Sequence, residues 1–393
     1  MPFRPSSRLQ ALPSHFFARI VRTAREMAAA GHDVINLGQG NPDLPTPPHI
    51  VERLVAAARD PRTHGYSPFD GLPELKEAIA AWYRRRFGVE VDPHREVAIL
   101  IGAKVGLQEI SLCLLEPGDV ALVPDPGYPD YWSGIALAGA RLHPLPLRPE
   151  NGFVPDFAEV PPAVAEKVRL VFLNSPANPT GAVYPPEAVQ EAIAFAQRYG
   201  AALAFDAAYL DLVYDGREPM SFLQFPGARE VGVEFHTLSK SFNMAGWRIA
   251  FCAGNPDLIA QLNLLQDHLH CSQFPAIQLA AAAALLGPYE PVEALRDEYR
   301  RRRDAFVAAC RRIGWEVPPP AGSFFVWCPV PAGMTAADFA DRVLREAHTV
   351  VAPGTAFGAH GEGYVRVSLT APVERLEEAA ERIGRLGLFR PLP

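Results

Sequence analysis

Cysteine is scarce in this sequence, and its few cysteines form no recognisable pattern. Cys113, Cys252, Cys271, Cys310 and Cys328 are widely spaced, odd in number and include no C-x-x-C pair. A disulfide framework or a structural zinc site would need paired or clustered cysteines. We therefore expect reduced thiols and a cytoplasmic location.

The sequence also lacks a long hydrophobic run and a long basic run. Its longest apolar run, residues 279–287, is about half of the roughly 20 residues that span a bilayer, and residues 1–20 contain no apolar signal core. The formal net charge is -7, and the longest basic run, residues 300–303, lies in a helical stretch of alternating charge. We expect a soluble protein without a membrane or nucleic-acid partner.

Short apolar runs alternate with helical patterns between residues 95 and 255, which is typical of parallel strands joined by helices. Strands are predicted at residues 97–101, 120–123, 141–145, 168–173, 201–205, 233–238 and 249–253. After them, the sequence predicts a helix at 291–314 and strands at 323–329, 350–352 and 364–369. The predicted fold class is α/β. A large domain, residues 46–288, has a mainly parallel central sheet flanked by helices, and residues 1–45 and 289–393 form a smaller α+β domain.

Lysine is the scarcest charged residue, with four lysines against thirty-three arginines. Arginine cannot lose its proton and act as a nucleophilic amine, so a lysine in a loop is a candidate for such chemistry. Lys240 follows the predicted strand at 233–238, in the stretch TLSKSF. It is the best candidate for a Schiff-base amine, the alternative being a solvated loop lysine.

Two features could bind a phosphate. Arg248 follows Lys240 after a short glycine-containing loop, and its guanidinium could bind phosphate oxygens. Residues 101–106 (IGAKVG) run through small residues into a helix start, where free N–H groups favour an anion. A plain strand-to-helix turn would have the same pattern.

Asp206 closes the predicted strand at 201–205 and precedes Tyr209, so a carboxylate and a phenol emerge at the carboxyl edge of the sheet, where ligands bind. A buried carboxylate needs a cationic partner, which could be a protonated pyridine nitrogen or a metal ion. Asp211 and Asp215 are the only nearby carboxylates, and the cluster at residues 267–271 has poor chelating spacing. We expect no metal.

Four motifs in this order resemble the class I aminotransferases, which are fold-type I pyridoxal-phosphate enzymes. They are residues 174–181 (NSPANPTG), 206–209 (DAAY), 237–240 (TLSK) and 246–248 (GWR). The similarity extends from residues 36–43 (NLGQGNPD) to residues 363–367 (GYVRV), which is nearly the whole chain. The resemblance implies the fold-type I fold and an enzyme that exchanges an amino group between an L-amino acid and a 2-oxo acid through pyridoxal 5'-phosphate.

The resemblance implies roles around the cofactor ring and the substrate. Lys240 would form the Schiff base and carry the proton, Asp206 would pair with the pyridine nitrogen, and Tyr209 would donate to the ring 3-oxygen. Tyr128 would stack on the ring. Arg366 would bind the substrate α-carboxylate. Asn178 and Gly40 would assist Arg366. Asn178 would also hold the ring 3-oxygen.

The resemblance also implies a phosphate site shared between two subunits. Its members would be Ala103, Lys104, Thr237, Ser239, Arg248 and, from the other subunit of a homodimer, Tyr66. The same family resemblance suggests cis peptide bonds at Asp125–Pro126 and Asn178–Pro179.

The substrate side chain is the least constrained feature. Dicarboxylate-specific relatives place a second arginine in the region that corresponds to residues 268–274 (HLHCSQF), which holds no arginine here. An apolar, thioether or aromatic amino acid is therefore expected instead of aspartate. Residues 32–43 and 125–134 resemble aminotransferases of methionine salvage, which aminate 2-oxo-4-methylthiobutyrate. Aspartate, alanine, aromatic and LL-diaminopimelate aminotransferases share much of the scaffold.

Two other function classes use the same cofactor. A C–S or C–C lyase would have the same lysine, aspartate and arginine motifs, so it stays open as an alternative. A cofactor-binding transcriptional regulator would need a basic domain ahead of the aminotransferase-like part, and only about 35 residues precede Asn36. That class is nearly excluded.

Overall fold

The computed structural model of the chain describes residues 3–13 and 16–389. Its helices are α1 (Ser7–Gln10), α2 (Phe16–Ala29), α3 (Pro48–Ala58), α4 (Pro73–Phe87), α5 (Ala103–Leu114), α6 (Asp130–Ala138), α7 (Pro162–Ala165), α8 (Pro186–Tyr199), α9 (Ala228–Val231), α10 (Leu238–Ser241), α11 (Pro256–Leu269), α12 (Pro275–Leu286), α13 (Glu290–Arg312), α14 (Ala336–Ala347) and α15 (Val373–Gly384). Its strands are β1 (Ile35–Asn36), β2 (Val97–Leu100), β3 (Val120–Asp125), β4 (Arg141–Pro146), β5 (Val168–Asn174), β6 (Ala202–Asp206), β7 (Gly232–Thr237), β8 (Ala250–Gly254), β9 (Phe325–Pro329), β10 (Thr349–Val350), β11 (Ala352–Pro353) and β12 (Tyr364–Ser368).

The largest sheet has seven strands in the order β2-β8-β7-β6-β5-β3-β4. Strand β8 runs antiparallel to both of its neighbours, and the other pairs are parallel. The seven strands predicted from apolar runs are all present, with ends that differ by one or two residues. The predicted mainly parallel sheet is confirmed.

Alternate residues of the sheet belong to two apolar clusters, which explains why most of its strands are largely apolar. Val97 and Ile99 of β2 pack in one cluster, whereas Ala98 and Leu100 pack in the other. Helices α4, α8 and α12 contribute to the first cluster, and α5, α6 and α11 contribute to the second. Both faces are thus covered by helices, as parallel sheets require.

The smaller sheets are formed by the C-terminal part of the chain and the N-terminal segment. Strands β11, β12 and β9 form an antiparallel sheet, and β1 pairs in parallel with β10. Helices α13, α14 and α15 pack on the three-stranded sheet around Phe306, Phe339 and Leu376. The N-terminal segment therefore packs on the smaller sheets.

The single strand predicted at residues 350–352 is wrong. The structure has two short strands there, and they belong to different sheets. Thr349, Val350, Val351 and Ala352 are all buried. Because the whole run is buried and largely apolar, its pattern carries no sign that the chain changes partners at Val351.

The four arginines at residues 300–303 differ in burial. Arg302 and Arg303 are buried on α13, whereas Arg300 and Arg301 are exposed. The guanidinium of Arg302 donates to Asp43 at 2.8 Å and to the carbonyl of Leu369 at 3.0 Å. Half of this cluster therefore anchors α13 against neighbouring segments.

None of the helices in residues 3–13 and 16–389 combines the length and the apolarity that crossing a membrane requires. All five cysteines carry free thiols. Within the same described ranges, no group of three histidine, cysteine, aspartate or glutamate side chains is placed to hold a metal ion.

Candidate active site

One cavity of about 550 Å³ lies where the carboxyl ends of β3, β5, β6 and β7 meet the small sheet and the N-terminal segment. Most of the residues predicted for the site line it. These are Gly40, Ala103, Lys104, Tyr128, Asn178, Asp206, Tyr209, Thr237, Ser239, Lys240, Arg248 and Arg366. Tyr66 lies outside this lining.

Lys240 is partly buried and lies on the short helix α10, which follows β7. Its Nζ donates to the carbonyl oxygen of Gly40 at 2.9 Å. Burial lowers the pKa of this amine from 10.5 to about 8, with smaller contributions from the positive charges of Arg366 and Arg248, while Asp206 opposes the shift. A larger fraction of Lys240 is therefore uncharged and nucleophilic near neutral pH than of an ordinary lysine.

Asp206 ends β6 and is buried beneath the cavity. Burial raises the pKa of this carboxyl to about 6, while a hydrogen bond from Tyr131 and one from the Ala208 backbone lower it. The Tyr131 phenol donates to Oδ2 at 2.7 Å, and the Ala208 N–H donates to Oδ1 at 3.1 Å. The carboxylate is thus stabilised in its charged form although it is buried.

Tyr131 is a site residue that the sequence analysis missed. It lies on α6, three residues after Tyr128, and its ring stacks on Phe172 with centroids 4.6 Å apart. Tyr128 lies in the loop before α6, so helical spacing gave no signal for Tyr131, although the two rings meet edge-on with centroids 5.4 Å apart. The contact with Asp206, 75 residues further along the chain, is not visible in the sequence.

Arg366 is buried on β12. Its Nη1 donates to Oδ1 of Asn178 at 2.9 Å, and its Nη2 donates to the carbonyl of Gly38 at 2.7 Å. The guanidinium carbon lies 4.0 Å from the ring centroid of Phe325 and 4.6 Å from that of Phe357. Burial lowers its pKa to about 10, so the group stays charged near neutral pH.

The start of α5 has the features of an anion site. Gly102 precedes that helix with φ +82°, and a Cβ there would overlap the guanidinium of Arg248. Glycine therefore lets Arg248 approach the free N–H groups of the helix. The Thr237 hydroxyl accepts from the Ser239 N–H at 3.2 Å, which places two hydroxyls on the same side of the cavity.

The side chain of Lys104 pairs with Asp130 instead of pointing freely into the cavity. Its Nζ lies 2.8 Å from Oδ1 of Asp130, at the start of α6. Asp130 also hydrogen-bonds Tyr128, whose pKa is raised well above its usual value by burial and by that carboxylate. Asp130 is a second lining residue that the sequence analysis missed. Lys104 can still meet an anion through its backbone N–H.

Tyr66 is 93% exposed and is not brought to this chain's own cavity. The segment that carries it is fixed by Gln278, whose Nε2 donates to the hydroxyl of Ser67 at 2.9 Å and to that of Ser272 at 3.2 Å. Two exposed aromatic segments, around Phe69 and Phe274, are therefore neighbours.

Among the residues that the structure describes, three peptide bonds that precede proline are cis. Asp125–Pro126 and Asn178–Pro179 are the two that the resemblance suggested, and Ser175–Pro176 is a third that it did not. All three lie near the carboxyl ends of β3 and β5.

The chain resembles known proteins over nearly its whole length. The family model for aminotransferase class I and II matches residues 32–383. The chain is 50% identical over 389 residues to the L-glutamine--4-(methylsulfanyl)-2-oxobutanoate aminotransferase of Bacillus subtilis (strain 168), covering 99% of this chain and 98% of that one. It is 47% identical to the LL-diaminopimelate aminotransferase of Desulforudis audaxviator (strain MP104C), covering 98% and 99%.

A solved structure agrees with the fold as well. Substrate-bound BacF from Bacillus subtilis superposes with a TM-score of 0.95 at 47% identity, covering 99% of each chain. The α/β fold class predicted from the sequence is confirmed by this likeness. The chain belongs to the class I and II aminotransferases.

Proposed function

We propose that the cavity binds pyridoxal 5'-phosphate and that the chain uses it to exchange an amino group between an L-amino acid and a 2-oxo acid. The observation that carries this proposal is that Lys240, Asp206 and Arg248 line one cavity. Their amine, carboxylate and guanidinium match the aldehyde, the ring nitrogen and the phosphate of that cofactor. If these three side chains lined different cavities, they could not bind one cofactor together.

The cavity fits the cofactor at its phosphate end and at its ring. The phosphate would be held by Arg248, by the hydroxyls of Thr237 and Ser239, and by the first N–H groups of α5 at Ala103 and Lys104. On the ring, Tyr128 would stack, while Asn178 and Tyr209 would hold the 3-oxygen. Bound there, the cofactor supplies an electron sink for the carbanion formed at the substrate Cα.

Asp206 would hold the ring nitrogen in its protonated form. The carboxylate is buried, and its pKa of about 6 leaves it mostly charged near neutral pH. Tyr131 and the Ala208 N–H occupy one position on each carboxylate oxygen, which fixes the orientation of the group. A fixed, buried negative charge is the partner that a protonated ring nitrogen requires.

Lys240 would carry the proton between the substrate Cα and the cofactor. Its pKa of about 8 lies near working pH, where a general base both accepts and returns a proton efficiently. The hydrogen bond to the Gly40 carbonyl fixes the amine on the side of the cavity formed by the N-terminal segment.

Arg366 would bind the α-carboxylate of the substrate. Phe325 and Phe357 enclose its guanidinium, and Asn178 and Gly38 accept from it, so its planar donors are held in one orientation. A fixed guanidinium is suited to forked binding of a carboxylate.

The substrate proposed first has a methionine-like, apolar or aromatic side chain. The segment at residues 268–274 supplies no arginine for a second carboxylate, and in it His270 contacts Glu109 at 2.9 Å. The B. subtilis relative is named for 4-(methylsulfanyl)-2-oxobutanoate and L-glutamine, which supports a methionine-salvage role.

LL-diaminopimelate is the second candidate substrate. Several relatives at 42% to 47% identity carry the name LL-diaminopimelate aminotransferase. Such a substrate has a distal charged group, so its use would require polar partners in the side-chain region of the cavity. Lys104 and Asp130 are charged lining residues that could provide them.

A homodimer with shared active sites is proposed for the assembly. The exposed Tyr66 cannot serve its own cavity as placed, and the aromatic segments around Phe69 and Phe274 lie exposed beside it. Exposed apolar groups on adjacent segments favour a protein interface. Tyr66 would then reach the phosphate in the partner's cavity.

The division into domains and the location also remain proposals. A large domain at residues 46–288 is supported by the seven-stranded sheet, and a small domain from residues 1–45 and 289–393 is supported by the pairing of β1 with β10. The five free thiols support a cytoplasmic location.

The experiment that tests the function follows the absorbance of the bound cofactor while single amino acids are added without an acceptor. We expect methionine or an aromatic amino acid to convert the cofactor fully, and aspartate to convert little. Preferential conversion by aspartate would overturn the substrate proposal, and preference for LL-diaminopimelate would favour the second candidate. Continuous release of ammonia without an acceptor would identify a lyase.

A further inference from the structure

His360 and Asp125 connect the small sheet to the large one. Asp125 ends β3, and His360 lies in the short turn Ala359–Gly361 between β11 and β12. Oδ1 of Asp125 accepts from the backbone N–H of His360 at 3.0 Å, and Oδ2 lies 2.9 Å from Nδ1 of the ring. One residue of the turn between β11 and β12 therefore engages both oxygens of a buried carboxylate.

Neighbouring backbone groups strengthen the same connection. Gly358 has φ +135°, and a Cβ there would overlap the Asp125 carboxylate. The N–H of Gly127 donates to the carbonyl of Phe357 at 2.8 Å. The loop after β3 and the segment at residues 357–360 thus contact each other through side chains and through backbone.

This connection fixes the position of Phe357. The Phe357 ring is fully buried, lines the cavity and lies 4.6 Å from the guanidinium carbon of Arg366. Tyr128, which also lines the cavity, follows Asp125 by three residues. Neither Asp125 nor His360 lines the cavity. The pair therefore lies behind the part of the cavity wall that Phe357 and Tyr128 form.

We propose that His360, through Asp125, is a positioning residue that holds Phe357 against Arg366 and so sets the affinity for the amino-acid substrate. This inference rests on the proposed function, because it assumes that Arg366 binds the α-carboxylate. His360 acts on binding and takes no part in proton transfer. Its loss should weaken ground-state and transition-state binding equally, which raises KM and leaves kcat unchanged.

The first test compares His360→Ala with His360→Asn in the holoenzyme. Asparagine can donate from its Nδ2 at about the position of the histidine Nδ1, so it should restore the contact. We expect His360→Ala to raise KM for the best amino acid by about threefold to tenfold with kcat within about twofold, the range of a partly exposed charge-assisted hydrogen bond. His360→Asn should recover most of the loss. His94→Ala, at an exposed histidine outside the cavity lining, is the matched control and should not change KM.

A double mutant identifies the path through Phe357. In a Phe357→Ala background, His360→Ala should change KM by less than about twofold, because the residue that it positions is gone. An unchanged, fully additive effect of His360→Ala in that background would overturn the inference.

Amide hydrogen exchange gives a readout without activity. In His360→Ala, the peptides that contain Gly127 and residues 354–361 should exchange faster than in the parent, and in His360→Asn they should not. Unchanged KM and exchange in His360→Ala, a fall in kcat with KM unchanged, or an equal loss in His360→Asn would each overturn the proposal. If the parent protein itself converts no amino acid, the proposed function fails instead, and the exchange measurement still tests the contact.

Discussion

The phenol of Tyr131 donates a hydrogen bond of 2.7 Å to Oδ2 of Asp206, and both groups are buried. The bond opposes the effect of burial, which by itself raises the pKa of the carboxyl. Tyr131 thereby helps to keep a negative charge under the cavity at neutral pH.

Tyr131→Phe should shift the pH dependence of the reaction. Without the donor, the pKa of Asp206 rises further above about 6, so the carboxylate becomes protonated at a higher pH as the solution is acidified. The acidic limb of the kcat/KM profile should move upward by about one pH unit, the scale of one hydrogen bond to a charged group. Tyr184→Phe is the control, because the buried Tyr184 hydroxyl has no partner among the described residues. An unshifted acidic limb in Tyr131→Phe would contradict the assignment.

Gly102→Ala should weaken cofactor binding. The new Cβ would overlap the guanidinium of Arg248, and alanine is strained at φ +82°. Gly200→Ala is the matched control, because Gly200 has φ +65° at a helix end and a Cβ there would have no other atom within 4 Å. By denaturant titration, Gly200→Ala should lower the free energy of unfolding by about 1 kcal/mol. Gly102→Ala should lower it by about 1 to 3 kcal/mol, because φ +82° with ψ 144° is a conformation that side chains other than glycine rarely adopt. Only Gly102→Ala should raise the Kd for pyridoxal phosphate, and equal Kd values would argue against an anion site there.

Arg366→Lys should impair substrate binding and spare the cofactor. Lysine keeps a positive charge but cannot fork onto a carboxylate, and it cannot reproduce the contacts to Asn178 and Gly38 together. KM for the amino acid should rise by about 10-fold to 100-fold, which corresponds to about 1.4 to 3 kcal/mol. The cofactor Kd, measured by absorbance titration, should stay within about twofold. A cofactor defect with normal KM would place Arg366 elsewhere in the mechanism.

Arg302→Ala should destabilise the fold although Arg302 lies outside the cavity. Its guanidinium is buried and bonds Asp43 and the Leu369 carbonyl, so its removal leaves partly buried acceptors without a donor. Because Asp43 remains about a quarter exposed, water offsets part of the loss, and we expect about 2 kcal/mol. Arg300→Ala, in the same helix, removes an exposed pair with Asp297 and should cost less than about 0.5 kcal/mol. Equal midpoints in chemical unfolding would show that burial does not distinguish the two arginines.

The sequence predicted the large sheet well because most of its strands are apolar on both faces. Every residue of β3, for example, is buried, and the run ends at the proline- and glycine-containing loop that carries Tyr128. Lys240 and Asp206 could be predicted for the same reason, since each directly follows or ends such a strand and must emerge at its carboxyl edge.

Contacts between distant segments could not be predicted. His360 contacts Asp125, which precedes it by 235 residues in the sequence. Lys104 contacts Asp130 because α5 packs beside α6. These polar side chains look like ordinary surface residues until the fold brings their partners near. Likewise, the change of sheet at Val351 depends on which strands lie alongside, and the apolar run does not encode it.

Borohydride reduction of the protein with pyridoxal phosphate, followed by peptide mass spectrometry, tests the central claim most directly. The chain has only four lysines, so the labelled amine can be identified without ambiguity. We predict that the reduced cofactor is attached to Lys240, that Lys240→Ala abolishes both this label and transamination, and that Lys104→Ala keeps the label. A label on another lysine, or normal transamination by Lys240→Ala, would contradict the account.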